Sequence, residues 1–138
     1  IITMTDKLKA AMHKIEMHVD TAVSEFTTPH VSDSLFDDMH KRCQQSLIDY
    51  EDALKVISSL HTRKSLKDLD KERLLTMAFF LQKMRDDTKS RICDSLKLKN
   101  NTLALASFGI LRHNWAEVKA AYHEFIELTE HVEKKRLK

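Results

Sequence analysis

Histidine is the residue type in this chain best suited to hold a metal ion, and eight are present. His123, Glu127 and His131 recur every four residues, which places them on one face of a helix, where neighbouring side chains can share a metal ion. Asp37 and His40 lie three residues apart, a spacing that di-iron helical bundles use. Those bundles also need glutamates on other helices and a second such pair, and the sequence offers no matching set. We therefore expect solvated histidines, with no metal site and no cofactor.

Two cysteines, Cys43 and Cys93, are the candidate nucleophiles. Cys43 falls on an apolar stripe and is expected to be a small core residue, whereas Cys93 lies beside the next stripe. The two form neither a C-x-x-C pair nor a dense disulfide framework, which favours a reduced, cytoplasmic setting. Because no glycine-rich turn accompanies them, the sequence predicts a protein that is not an enzyme.

The elements that carry these side chains should be helices, because the 138 residues include one glycine, Gly109, and one proline, Pro29. Folds rich in turns need both residue types in larger numbers. The length fits one domain. We expect residues 1–138 to form a single helical-bundle domain and, since the chain begins with isoleucine, to be part of a larger protein.

Apolar residues repeat every three or four positions in four segments, a pattern typical of helices with one buried face. Pro29 should end the first helix, and Ser32 is an N-cap candidate for the second. The third segment has a polar middle, residues 85–90, where a break is the alternative to a continuous helix. The first three stripes are Leu8, Met12, Ile15, Val19, Ala22 and Phe26; Leu35, Met39, Cys43, Leu47, Tyr50, Leu54, Ile57 and either His61 or Leu60; and Leu74, Met77, Leu81, Met84, Thr88, Ile92 and Leu96.

The fourth segment has two parts. Residues 103–111 are apolar almost all round, which predicts that they are well buried. Asn114 followed by Glu117 has the spacing of a capping box, so a new helix should begin there. Gly109 to Asn114 should then form a kink or tight corner between two helices. The apolar stripe expected on the second of these helices is Val118, Ala121, Tyr122, Phe125, Leu128 and Val132. The predicted fold is all-α: an up-down helical bundle of four legs, the last split near Asn114 into a short and a longer helix.

Aromatic residues are the best candidates for contact with a partner, because large rigid rings dominate measured binding hot spots. Phe36 stands beside Leu35, and Phe79 stands beside Phe80, so one member of each pair points away from the centre of its stripe. We expect a non-catalytic protein–protein interaction domain, an adaptor, scaffold or self-associating module, that receives a partner helix in a groove. The predicted contact residues are Phe36, Phe79, Trp115 and Tyr122.

Two alternatives remain open. One end of the bundle should gather basic residues that suit phosphate groups on a membrane surface or on RNA, although the net charge is only +2. The other alternative is carriage of a small apolar ligand among the core methionine and phenylalanine side chains. The residues of the basic end are Arg63, Lys64, Lys67, Lys134, Lys135 and Arg136.

Overall fold

The fold was obtained as a computed structural model, which describes the backbone of residues 2–26 and 31–137 and the side chains of residues 5–26 and 31–127. Within these residues every regular element is helical. The helices are α1 (Ile2–Phe26), α2 (Asp33–His61), α3 (Asp68–Asp87), α4 (Cys93–Lys97) and α5 (Asn101–Leu137), and a π-helical turn (Thr88–Ile92) joins α3 to α4. The all-α bundle is confirmed.

The four legs of the bundle are α1, α2, α3 with its extension through α4, and α5. Each leg packs antiparallel to the next, and α5 returns to close the ring against α1. Polar pairs cross each of the four seams of this ring, so each leg has two neighbours and one outward face. The pairs are His18–Asp49, Glu51–Arg85, Arg73–Glu124 and Glu16–Lys119, at 2.5, 3.0, 3.1 and 3.6 Å.

The predicted stripes form the core. All six stripe residues of α1 are buried, as are all seven from Leu74 to Leu96. Of the stripe predicted for α5, Val118, Ala121 and Phe125 are buried and Tyr122 is half-buried, whereas the side chains of Leu128 and Val132 lie outside the described residues. On α2 the stripe is less complete, since Leu35, Leu47 and Leu54 are half-buried at the margin of the core. Burial of this continuous apolar interior is the dominant favourable contribution to folding.

The helix ends are set by a few polar groups. The Oγ of Ser32 accepts a hydrogen bond from the backbone N–H of Leu35 at 3.3 Å, so the predicted N-cap of α2 is confirmed. Asn100 Oδ1 accepts from the N–H of Leu103 at 3.0 Å and caps α5 in the same way. Between α4 and α5 the chain reverses at Lys99, whose φ of 54° is the left-handed conformation that usually selects glycine. Pro29, expected to end α1, lies outside the described residues.

The predicted split of the last leg is wrong, because α5 runs without interruption from Asn101 to Leu137. Asn114 is buried in the middle of this helix, so no new helix begins at this residue. Gly109 faces solvent, and a Cβ added there would meet nothing within 4 Å. The glycine therefore lowers the intrinsic stability of the helix but does not interrupt it. That cost, about 1 kcal/mol, is smaller than the gain from keeping Leu111 and Trp115 in register with Val118.

The interruption lies instead in the third leg, at the π-helical turn. Met84, Thr88, Ile92 and Leu96 are all buried although they follow one another at three successive steps of four residues. In a regular α-helix those twelve positions would carry Leu96 about 120° around the axis from Met84. The wider π turn, with its i→i+5 hydrogen bonds, removes this drift. The polar middle of the segment therefore marks a change of helical pitch.

Candidate interaction surfaces

Two of the four predicted contact residues belong to the core. Phe36 is 3% exposed and packs edge-to-face against Phe26, with ring centroids 5.4 Å apart. Trp115 is 4% exposed. Phe36 is therefore the inward-facing member of its pair, and contact of either ring with a partner stays a prediction. The rotation of α2 about its axis points the Phe36 ring toward Phe26 and leaves Leu35 half-buried at the edge of the core.

Phe79 lies on the surface, where its side chain is 52% exposed. Leu69 and Leu75 of the same helix are similarly exposed, and Phe80 beside them is half-buried against the core. The rings of Phe79 and Phe80 meet edge-to-face at 5.1 Å. We call these four residues the α3 strip. All four line one groove, with the polar side chains of Glu72 and Thr76 among them, and so differ from the isolated exposed residues that any surface carries.

The α3 strip borders an open groove of about 700 Å3 between α3 and α5. Arg73 lines this groove, and its guanidinium is fixed by two carboxylates: Nε donates to Glu124 at 3.1 Å and Nη1 donates to Asp70 at 3.3 Å. Glu72 and Thr76 complete the lining on the α3 side. Lys83 Nζ lies 4.5 Å above the centre of the Phe79 ring, a cation–π contact at one end of the strip. The groove thus has an apolar wall and a charged margin.

A second groove, of about 240 Å3, lies on the other side of α5, against α1. It brings together two of the predicted contact residues, Trp115 and Tyr122, with the latter half-buried. Most of the remaining lining residues are lysines, which are positively charged, or histidines, which become charged when protonated. The remaining lining residues are Lys9, Met12, His13, Glu16, Lys119 and His123. We call this site the α1/α5 groove.

The start of α5 carries an exposed apolar face that the sequence analysis did not anticipate. Leu103, Leu105 and Ile110 are each about two-fifths exposed, contrary to the prediction that residues 103–111 are well buried. Because α5 has only α1 and α3 as long neighbours, one side of it has nothing to pack on. The four- and three-residue steps through Ala104, Phe108, Leu111 and Trp115 mark the inward face, and this signal was available in the sequence.

The basic end is described only in part. Arg63, Lys64 and Lys67 are exposed on the connection between α2 and α3. The side chains of Lys134, Lys135 and Arg136 lie outside the described residues. The predicted cluster as a whole therefore stays a prediction.

A polar site lies inside the bundle between α1 and α2. The carboxylate of Asp49, itself buried, accepts hydrogen bonds from His18 Nε2 at 2.5 Å and from Gln45 Nε2 at 3.4 Å. His18 borders a cleft of about 20 Å3 shared with Cys43 and Tyr50. That volume admits about one water molecule, so this cleft does not suit an apolar ligand.

Neither cysteine has the surroundings of an activated nucleophile. Burial, and to a lesser extent neighbouring Cys93, raises the pKa of Cys43 to about 12. The pKa of Cys93 is also raised, first by burial and then by the charge of Asp94, against a lowering effect of Lys97. Both thiols are thus held protonated near neutral pH, whereas catalysis requires thiolate.

Metal ligation was the other chemistry considered. Among the residues the structure describes, no three histidine, cysteine, aspartate or glutamate side chains are grouped to hold a metal ion. The side chain of His131, one of the three residues of the helical triad, lies outside that part of the chain. His123 and Glu127 are exposed on α5.

The described helices include none that combines the length and the apolarity needed to cross a membrane. No family model, no curated protein and no solved structure matches this chain.

Proposed function

We propose that this chain is a non-catalytic interaction domain that binds an apolar helix of a protein partner along the α3 strip. The observation that carries the proposal is the exposure of Leu69, Leu75 and Phe79 beside an open groove. An amphipathic helix laid in such a groove buries its own apolar face and that of the strip together. The self-associating form of the proposal differs only in that a second copy supplies the helix.

The free energy gained by burying the exposed apolar side chains of the strip is too small to hold a partner without polar contacts. Burying the exposed halves of three large side chains contributes roughly 2–4 kcal/mol in total. A dissociation constant of 1 mM already requires about 4 kcal/mol net of the entropy lost on association. Polar groups at the margin of the groove must therefore add affinity and fix the orientation of the partner.

The margin of the groove favours a partner helix with basic residues on one side. Glu72 and Glu124 are both exposed there, while the guanidinium of Arg73 is occupied by Asp70 and Glu124. Lysine or arginine on that side of the partner would meet Glu72 and compete with Arg73 for Glu124, whereas Lys83 at the Phe79 end suits an acidic group.

The direct test is capture of partners from an extract of the cells that produce the protein. We expect the double variant Leu75→Glu/Phe79→Glu to lose the specifically captured proteins, because two charges would have to be desolvated in the groove. Both positions are exposed, so the variant should fold. The matched control is Ile48→Glu, which replaces an exposed apolar residue of α2 outside the strip. Capture of the same proteins by the double variant and the wild type contradicts the proposal.

The phosphate-binding alternative predicts a different pattern in the same assay. Capture would then depend on Arg63, Lys64 and Lys67 and would fall steeply with added salt. It would be indifferent to Phe79. The carrier alternative draws no support from the interior cleft beside His18, whose volume is far below the several hundred cubic ångströms of ordinary ligand pockets.

A further inference from the structure

The outward face of α3 carries a line of exposed side chains whose two ends have opposite charge. The line consists of Glu72, Thr76, Phe79 and Lys83, which follow one another by steps of four, three and four residues. Such steps keep side chains on one face of a helix. Glu72 and Lys83 are about 16 Å apart along the helix axis. A partner helix that fits this line is therefore basic where it meets Glu72 and acidic where it meets Lys83.

Both charges at the ends of this line are available to a partner. Within the described part of the chain neither forms an ion pair, and the ion pairs of α3 involve Asp70, Arg73, Arg85 and Asp86 instead. Lys83 Nζ contacts the faces of the Phe79 and Phe80 rings, 4.5 and 5.5 Å from their centres. Because an ammonium group has three N–H donors, this contact leaves Lys83 able to bind a carboxylate.

The line is symmetric about its middle, and this symmetry identifies a helix that fits it. Glu72 and Lys83 are equally far from the middle of the line, and so are Thr76 and Phe79. When a second α3 lies antiparallel across the first with the two middles together, Glu72 of each copy meets Lys83 of the other. Phe79 of each copy then meets Thr76 of the other. A parallel pair would instead set like charges against each other.

The apolar side chains beside the line follow the same symmetry. Leu75 and Phe80 are also equally far from its middle, so antiparallel copies place Leu75 of each against Phe80 of the other. The hydroxyl of Thr76 donates to the backbone carbonyl of Glu72 at 3.0 Å. Because this hydroxyl is already hydrogen-bonded, the Phe79 ring of the other copy can pack on the Thr76 side chain without burying an unpaired donor.

We propose that the α3 strip binds the α3 strip of a second copy of this chain, in an antiparallel pair with Phe79 near its centre and two Glu72–Lys83 ion pairs at its ends. This inference rests on the function proposed above and specifies its partner. A two-fold pair uses the same patch on both copies, so association stops at the dimer. The strip is small beside the roughly 1,200–2,000 Å2 that stable complexes bury, so we expect a weak dimer with a dissociation constant on the order of 0.1 mM.

Sedimentation equilibrium of the full chain measures this dimer, at low salt because salt screens exposed ion pairs. We expect Phe79→Glu to remain monomeric up to about 1 mM, since the pair would have to desolvate two new carboxylates at its centre. All of these positions are exposed, so the variants should fold.

Charge reversal tests the antiparallel register. Glu72→Lys and Lys83→Glu should each weaken the dimer by about tenfold, because each variant makes both ion pairs repulsive. An equimolar mixture of the two variants should associate within about threefold of the wild type, because their heterodimer pairs every lysine with a glutamate. Lys55→Glu, at an exposed position of α2, is the charge-matched control for Lys83→Glu and should dimerise as the wild type does.

This inference and the proposed function fail in different measurements. A wild type that is monomeric at about 1 mM, or a dimer that Phe79→Glu does not weaken, overturns the inference. A mixture of Glu72→Lys and Lys83→Glu that associates no better than either variant alone also overturns it. In each of these cases the proposed function still stands if Leu75→Glu/Phe79→Glu loses the captured proteins, because a different helix then occupies the strip. The proposed function falls when that double variant captures the same proteins as the wild type.

Discussion

Cys43 illustrates how burial decides the chemistry of a single residue. The thiol lies in the core beside Tyr50 and Met39, and burial raises its pKa from an ordinary 9.0 to about 12. Burial also raises the pKa of the Tyr50 hydroxyl. Both groups are neutral packing elements over the physiological range, and the folded protein resists their ionisation.

The stability of the fold should accordingly decline in alkaline solution. Because the folded pKa of Cys43 is higher than the unfolded one, the unfolded chain releases this proton first. Its contribution to stability is complete below pH 9 and is lost as the pH rises toward 12. For Cys43 alone the free energy of unfolding should fall by up to about 1.4 kcal/mol per pH unit within that window.

Urea unfolding gives the free energy of unfolding of each protein at about pH 8 and about pH 11, and the difference between the two values measures the decline. Cys43→Ala should make the difference smaller, and Cys93→Ala, at a less buried thiol, should change it less. If removing Cys43 leaves the pH dependence unaltered, burial does not control this group.

At the scale of the element, the sequence predicted the inward faces well and the breaks poorly. The steps of three and four residues in α1 and α3 identified the buried residues because a helix that packs on one side must repeat every 3.6 residues. Asn114 and Gly109 were misread because local capping and breaking signals are weak compared with the packing of a long amphipathic helix. The run Met84, Thr88, Ile92, Leu96 held the clue to the π turn, since three consecutive steps of four do not fit an α-helix.

The exposure of individual aromatic residues was harder to predict. Phe36 and Phe79 each stand beside a stripe residue, and the sequence does not say which member of the pair turns inward. That choice depends on the neighbouring legs, because the ring of Phe36 packs on Phe26 of α1, whereas Phe79 stays exposed beside the groove between α3 and α5. The α1/α5 groove could not be predicted from the sequence either, because its residues come from the first and last helices of the chain.

The continuity of α5 leads to a prediction for Gly109. Replacement by alanine should stabilise the protein by about 0.5–1 kcal/mol, because the position is helical, exposed and has open space for a Cβ. Ala106→Gly, on the same exposed face, should destabilise by a similar amount. Chemical unfolding measures both, and a destabilising Gly109→Ala would indicate a corner at this position.

The π turn leads to a prediction about deletion. Removing Ser90, which is exposed, leaves eleven positions from Met84 to Leu96, so a regular α-helix would place the two residues within about 20° of each other. We expect this variant to fold with a continuous third leg, losing no more than about 1 kcal/mol.

Deletion of Asp52, exposed in the middle of α2, is the matched control. It rotates Ala53, Ile57 and Leu60 about 100° out of the core, and we expect the protein to unfold. Circular dichroism and thermal unfolding distinguish the two cases. Equal damage from both deletions would show that the turn does not serve to keep the stripe in register.

At the scale of the whole molecule, the ring of four legs uses its stripes for the core and leaves distinct chemistry at its seams. One side of α5 offers an apolar strip with a margin of mixed charge, and the other offers a groove lined by two lysines, two histidines and Glu16 beside Trp115. The interior, with its protonated thiols and one-water cleft, serves stability.

The most direct measurement is site-specific photo-crosslinking in the cells that produce the protein. A photoreactive phenylalanine derivative at Phe79 changes an exposed ring into a similar ring, and the same derivative at Ile48 provides the control on α2. The account predicts a discrete protein adduct from position 79 that disappears when Leu75→Glu is added, and no such adduct from position 48. The same adducts from both positions, or none from position 79, would contradict the claim that the α3 strip is where this domain meets its partner.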